Sequence, residues 1–399
     1  MASVEPRGNG SWRATICGGY DAQGKKIRLH RTIKVDPSKT INAQRKEAER
    51  KAAEIETDYN RHLLTDAKKI TVKQLAGEYM DSCRRKGLAL STISGYEWLL
   101  AEKIVPMLGK VAVQDVTPRT IGGFYQKLQD APAKTNRSKT GKLSGTTQLH
   151  YHRLLHAMFG FAVRNQYITV NPVSAVEPPR KDTQETQFYE LEDCGKLLTA
   201  LDGLTDEQWR LFFYMSIYTG MRPGEQIGLD WTDIDLDKHV LTVRAGCAPI
   251  KGKGTVRTDR PKTAKSVRTI DLPGFLVSML KEHRMKQMEY RMQFGSGWSE
   301  PNAVFTGTDG RRFDASTPTQ KFQRIIKANH LRPITLYGLR HTAATIMIAQ
   351  GINARDVAQR LGHAQTSTTL NIYAHAFRDA NTRATDAIVS ALESVRKQA

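Results

Sequence analysis

The sequence predicts a multidomain chain: a small β-meander plus helix, then an all-α domain, then an α+β domain that is mainly α. Three observations carry this. The 399 residues exceed what one hydrophobic core usually serves. Apolar residues alternate in strand fashion before residue 36 and recur at helical spacing from Thr71 onward. A proline-bearing polar stretch, "EPPRKDTQET" at 177–186, then separates the helical region from a mixed one. The domains expected are therefore 1–65, 70–176 and 187–399, with 177–186 as linker.

In the first of these, "RGNGSWRATICGGYDAQGKKIRLHRTIKV" (7–35) alternates β-formers around two turn signals, Gly18-Gly19 and Asp21 to Gly24, which predicts three strands. Its polar positions are mostly cationic: Arg13, Lys25, Lys26, Arg28 and Arg31. A helix of mixed charge follows, with Asn42 as its cap and Ala48, Ala52, Ile55 and Tyr59 as its apolar stripe. A sheet this small must pack on that helix to be stable.

Four helices are predicted next, opened by Thr71, Ser91, Thr117 (with Pro118 at the first helical position) and Ser144. Between the third and fourth lies "APAKTNRSKTGKLSG", holding Lys134, Arg137, Lys139 and Lys142 and no acid. That loop serves equally as a solvated linker or as a strap touching phosphates. Beyond the linker, "FYELEDCGKLLTAL" and "DEQWRLFFYMSIYTG" read as helices. "HVLTVRAG" and "SVRTIDLP" read as strands flanking a long basic hairpin, and the remainder is helical again.

Lys and Arg number 60 against 40 Asp and Glu, a formal charge of +20, which points to a polyanionic partner, nucleic acid before membrane. The four cysteines, Cys17, Cys83, Cys194 and Cys247, form no CxxC pair and read as reduced thiols. No apolar run approaches the roughly 18 residues of a membrane span, and the first residues lack the apolar core of a signal peptide. The expectation is a cytoplasmic protein with no membrane contact.

Three segments carry chemistry. In "YTGMRPGEQIGLDWTDID", Gly220 permits a sharp turn, Pro223 suits a first helical position and Glu225 a first turn, so Arg222 sits at a helix N-terminus. There its planar fork adds to unpaired backbone N–H groups, an arrangement suited to phosphate. In "KGKGTVRTDRPKTAKSVRTIDLP", Lys251, Lys253, Arg257, Arg260, Lys262, Lys265 and Arg268 face one acid before the strand, Asp259. Cations at such a turn reach a groove, and a lysine at its tip can deliver a proton. In "ITLYGLRHTAATIMIAQG", Tyr337 and Arg340 share a helix face, while Ala344, Ile346, Met347 and Ile348 build the buried side. "INARDVAQRLG" follows, capped by Asn353 and stopped by Gly362, so His363 projects from a helix end. Thr366 or Ser367 then caps the helix that bears Tyr373. Each residue taken alone fits a structural role as well.

Order and spacing together resemble the tyrosine recombinase family, the phage-type integrases. That family has an arginine in "TGxRxxE", here "TGMRPGE"; a lysine on a β-hairpin, here Lys262 of "RPKTAKSVR"; a "HxLRH" segment, here "YGLRH"; and "LGH" about ten residues before the tyrosine, here "LGHAQTSTTLNIY". The resemblance implies an arm-binding domain in the meander and helix, a core-binding domain in the four helices and a catalytic domain beyond. It implies that Arg222 and Arg340 clamp the scissile phosphate, that His363 donates a hydrogen bond to it, and that Tyr373 attacks phosphorus to form a 3′-phosphotyrosyl link. Lys262 would protonate the departing 5′ oxygen. No metal, cofactor or ATP is implied, since the ester keeps the energy of the broken bond and no tight Asp/Glu cluster marks a two-metal site. The partners implied are double-stranded DNA at core and arm sites, a homo-tetramer on DNA, and an excisionase as candidate helper.

One position departs from the pattern. Tyr337 stands where the family has histidine, and a phenol donates hydrogen bonds but is a poor base near neutral pH. The expectation is that Tyr337 orients or hydrogen-bonds. The last stretch, with Ala384, Ile388, Leu392 and Val395 on one helical stripe, is expected to dock on a neighbouring subunit rather than pack on its own domain. A type IB topoisomerase and a DNA-binding regulator without catalysis are the rival readings.

The clustered cations make salt the first check. Affinity for duplex DNA, measured by anisotropy, is expected to fall steeply, on the order of 1,000-fold or more, between about 50 and 200 mM salt. A flat response would contradict the nucleic-acid assignment.

Overall fold

Alternation of period two builds the first layer of the computed structural model, which describes residues 2–20, 26–60, 69–132, 141–182, 187–250, 252–258, 267–363 and positions 365, 370, 389 and 396. β1 (Ser3–Gly8), β2 (Ser11–Tyr20) and β3 (Lys26–Lys34) form an antiparallel sheet in that order. Trp12 lies opposite Ile33, and both turn toward α1 (Ile41–Asn60), where Ala48 and Ala52 are fully buried. Two local expectations are corrected. The first turn lies at Gly8, Asn9 and Gly10, all at positive φ, while Gly18-Gly19 falls inside β2 at a register shift between Cys17 and Tyr20. That glycine pair marks an irregularity within a strand rather than its end. Asn42 does not cap α1, which starts one residue earlier; Asp36 orders the entry by accepting from the N–H and the hydroxyl of Ser38 (3.0 and 2.7 Å).

The chain divides into two compact units, Met1–Thr183 and Gln184–Ala399. Within the first, a second apolar core gathers α2 (Val72–Arg85), α3 (Leu90–Leu99), α4 (Val105–Leu108), α5 (Pro118–Asp130) and α6 (Gly145–Arg164) around Leu75, Phe124, Tyr151, Leu155 and Phe159. Thr71, Thr117 and Ser144 cap as expected, each hydroxyl accepting an N–H three residues on, at 3.3, 3.3 and 3.1 Å. Ser91 does not, because α3 begins at Leu90 behind Ala89 with no side-chain cap. A single π-helical turn, Leu100–Ile104, joins α3 to α4 just ahead of Pro106. Proline lacks an N–H and crowds the carbonyl four residues back, and a widened turn relieves both problems.

The second unit is mostly helical: α7 (Leu191–Asp202), α8 (Glu207–Thr219), α9 (Pro223–Ile227), then β4 (Ile234–Asp235), β5 (Val240–Val243), β6 (Gly246–Ile250), β7 (Gly254–Thr258) and β8 (Arg268–Asp271), then α10 (Gly274–Phe294), α11 (Thr317–Ala328), α12 (Gly338–Ala349) and α13 (Ala354–Leu361). The two expected strands, β5 and β8, pair with each other, Leu241 opposite Ile270 and Val243 opposite Arg268. Between them β6 and β7 form a hairpin, as expected there, but as a separate two-stranded sheet; β4 adds an edge to β5, which the sequence reading did not resolve. The molecule is thus multidomain, with a mostly helical C-terminal unit and small sheets. No helix among the described residues is long and apolar enough to cross a membrane.

Aromatic packing fixes α8, the helix that leads to Gly220. Trp209 stacks on Phe313 with centroids 4.3 Å apart, Phe212 meets Phe305 edge-on at 5.0 Å, and Phe213 lies 5.4 Å from Phe322. Phe213 is fully buried. Truncation to alanine leaves a cavity its neighbours fill only in part, so Phe213→Ala is expected to lower the unfolding free energy of this unit by about 3–5 kcal/mol in urea titration.

Candidate active site

The end of α13 collects the charged side chains. A helix leaves its last four carbonyls without intrahelical partners, at the negative end of its dipole. Here the carbonyl of Arg360 accepts from Nε of Arg268 (2.8 Å), that of Leu361 from Nη2 of Arg340 (2.6 Å), and that of Gly362 from Nη2 of Arg222 (3.3 Å). Three arginines from three distant segments thus converge on consecutive carbonyls. Gly362 makes this possible: at φ 68° it turns the chain, and a Cβ there would lie 2.7 Å from Nη1 of Arg268.

Each arginine has a second anchor. Arg222 stands at the N-terminus of α9, as its sequence predicts; its N–H donates to Oε2 of Glu225 (3.0 Å) and its Nη1 to Oε1 (2.6 Å). Arg340, in the first turn of α12 and only 1% exposed, gives Nη1 to the carbonyl of Gly220 (2.9 Å). Gly220 ends α8 in the left-handed region (φ 63°), and a Cβ on it would meet Leu361 at 2.6 Å. The Nε of Arg340 is buried and has no hydrogen-bond partner among the described residues. An orphaned charged donor of this kind is costly, and is expected where an anionic ligand supplies the missing acceptor.

Electrostatics follow from this crowding. Burial, and next the charge of Arg222, push Arg340 down to about 10, so it stays protonated at neutral pH. Burial opposes the charge of Glu225 as well, but Arg268 and then Arg222 outweigh it and hold that carboxylate at about 2. His363 is pushed down to about 4 by burial, then by Arg340, Arg222, His341 and Arg268. His341 falls to about 4 through burial and Arg340. Both imidazoles are therefore neutral at pH 7, and His363 offers an N–H rather than a charge. Positive charge for a phosphate comes from the guanidiniums.

Tyr337 stands just before α12, 40% exposed, with its ring edge-on to His341 at 5.0 Å. Burial works against the charge of Arg222, but Glu225, and after it the neighbouring Tyr337, outweigh that cost and hold the guanidinium above its usual value. Arg222, Tyr337, Arg340 and His363 are thus brought together. Lys262 and Tyr373 lie outside the described residues.

The expected DNA-contacting cations separate into groups. Strand register puts Arg13 opposite Thr32 and Arg28 opposite Cys17, on the sheet face away from α1, whereas Arg31 lies opposite Ala14, on the face toward α1. Lys26 opens β3 opposite Tyr20. Lys253 is exposed at the tip of the β6–β7 turn. Arg257 instead turns inward, donating to the carbonyl of Gly228 (3.0 Å) and pairing with Asp230 (3.0 Å), which corrects the picture of a solvent-facing hairpin cation. Lys142 pairs with Asp130 just outside its loop (3.1 Å). Lys25, Lys134, Arg137, Lys139, Lys251 and Lys265 lie outside the described residues, as do Thr366, Ser367 and the stripe from Ala384 to Val395.

Sequence reasoning missed the part played by Glu225 and Arg268. Glu225 was read only as a first-turn carboxylate, and Arg268 as one hairpin cation among seven. A signal was available: Arg268 shares strand parity with the fully buried Ile270, so period two already points it inward.

Comparison with known proteins decides the family. Residues 188–379 match the profile described as "Phage integrase family". That segment, nearly half of the chain, is a tyrosine recombinase domain of that family. Over 394 residues the recombinase is 29% identical to "Tyrosine recombinase XerC-like" of Caldanaerobacter subterraneus subsp. tengcongensis, covering 94% of this chain and 95% of that relative. It is 24% identical over 384 residues to the ICEBs1 integrase of Bacillus subtilis strain 168, covering 94% and 96%. In fold it resembles the Tn1549 transposon integrase in complex with transposon right end DNA, with a TM-score of 0.65, 22% identity and coverage of 80% and 100%. A lambda integrase dimer bound to a COC′ core site matches at TM-score 0.54 and 16% identity, covering 93% and 94%.

The neutral imidazoles give a pH test. Unfolded, His341 and His363 take up protons near 6.5; folded, they do so only near 4. The unfolded chain therefore binds more protons in that window, and stability present above about pH 6.5 is lost as pH falls toward 4. Glu225 keeps its charge throughout, so it does not mask the effect. Melting temperature of the full-length recombinase is expected to drop between pH 7.5 and 5, and less steeply in His341→Gln.

Proposed function

We propose that the recombinase is the integrase of a mobile element, cutting and rejoining DNA strands at specific sites through a 3′-phosphotyrosyl intermediate. The observation that carries this reading is the convergence of Arg222, Arg340 and His363, 118 residues or more separating the first from the others, around one charge-dense point with an unanswered Nε donor. Arg222 and Arg340 bind the non-bridging oxygens of the scissile phosphate and offset the charge that grows on them. Neutral His363 adds a hydrogen bond. Tyr337 holds Arg222 in place, the orienting role its chemistry allows. Tyr373 attacks phosphorus, and Lys262 protonates the 5′ oxygen that leaves. The ester conserves the bond energy, so a second 5′-hydroxyl reseals the strand without ATP.

The domain roles follow from likeness to the family. Residues 1–65 bind arm sites through the outer sheet face that carries Arg13 and Arg28. Residues 70–176 bind the core site, and 187–399 cleave it, with 177–186 as the linker and the last helix docking on a neighbour. Structural relatives described as DNA complexes support duplex DNA as the substrate. A homo-tetramer on DNA, a cytoplasmic location and an excisionase helper complete the proposal. The family match gives no support to a topoisomerase or to a regulator without catalysis.

A nicked suicide duplex carrying the element's attachment core tests this. Wild type is expected to accumulate a covalent protein–DNA adduct that survives denaturation, and Tyr373→Phe none while still binding the duplex. Absence of adduct with wild type would leave only DNA binding.

A further inference from the structure

We infer that Arg268 is a positioning residue for strand cleavage, clamping Glu225, and through it Arg222, against the turn that carries His363. The inference rests on the recombinase reading above and adds a residue to it. Arg268 sits in β8 and is buried. Its Nη2 and Nη1 reach Oε2 and Oε1 of Glu225 at 2.7 and 3.3 Å, a fork on a fork. The same two carboxylate oxygens hold the backbone N–H and Nη1 of Arg222 at 3.0 and 2.6 Å. On its other side the Nε of Arg268 donates to the carbonyl of Arg360 at 2.8 Å, and Gly362 packs so close that a methyl group there would lie 2.7 Å from Nη1. One guanidinium thus locks the α9 turn that carries Arg222 to the last turn of α13, from which His363 emerges.

Stability alone is a weak reason for this arginine. Burying an ion pair costs roughly what its attraction returns, and an apolar side chain packs as well on the face of β8 that Ile270 shares. An apolar residue cannot set the angle of the Glu225 carboxylate, nor donate to the open carbonyl of Arg360. Those two acts fix where Arg222 and His363 stand relative to each other. A shift of about 1 Å at such a point costs on the order of 100-fold in rate without removing any group that touches substrate.

Arg268→Lys and Arg268→Gln in the full-length recombinase test this on the same suicide duplex, with DNA affinity, single-turnover adduct formation at saturating protein and melting temperature as readouts. Affinity is expected to stay within about twofold of wild type. Cleavage is expected to fall about 100-fold in Arg268→Gln and about tenfold in Arg268→Lys, which keeps the charge and loses the fork. If Arg268→Gln does not fold, a folded Arg268→Lys decides alone. Rates within twofold of wild type in the folded variants would overturn the inference, as would an affinity loss that matches the loss of rate. No adduct from wild type would instead sink the recombinase reading itself.

Discussion

Three guanidinium groups seated on consecutive carbonyls at the end of α13 are the constraint around which the catalytic unit is arranged. Like charges at close quarters are unfavourable: two of them about 5 Å apart repel by about 3 kcal/mol at an effective dielectric of 20. A charge-assisted hydrogen bond returns about 1.5–3 kcal/mol. The cluster is therefore tenable only with several such bonds. Glu225 supplies some of those, and the carbonyls of Gly220, Arg360, Leu361 and Gly362 supply others. Arg360 itself closes the ring by donating to the carbonyl of Tyr218 (3.2 Å).

This arrangement separates two tasks. The guanidiniums carry charge, and because their positive field also depresses the histidines, His363 is left as a neutral donor. A bound phosphodiester would relieve the mutual repulsion of the arginines and answer the orphaned Nε of Arg340. The donors are placed before any substrate arrives, so little reorganisation is left for the reaction itself. The aromatic stack beneath α8 keeps Gly220, and with it Arg340, in register.

Charge count and charge placement part company elsewhere in the molecule. Arg257 and Arg268 both come from the segment that reads as a basic hairpin, yet both turn toward carboxylates inside the unit. Arg31 likewise shares a sheet face with Ala14 and Trp12, while Arg13 and Arg28 face the other way. A +20 chain still has abundant cations for a polyanion, but which ones are available is set by strand parity and by the acids that fold next to them.

Local signals settled much from sequence. Caps at Thr71, Thr117, Ser144 and Asn353, the stop at Gly362 and the strands around Leu241 and Ile270 were legible because each depends on residues a few positions apart. So were Arg222, Arg340 and His363, since an ordered set of motifs marks them. The misplaced first turn and the unused Ser91 cap are failures where two local signals competed. What only the tertiary structure decided is which charges pair with carboxylates and carbonyls inside the unit. Glu225, Arg268 and Arg360 are separated by 43 and 92 residues along the chain, and no short-range pattern tells a side chain that its partner is a carbonyl on a distant helix end. Sequence sets the chemistry each residue brings; packing sets the distance over which an electrostatic interaction acts, and that distance decides the role.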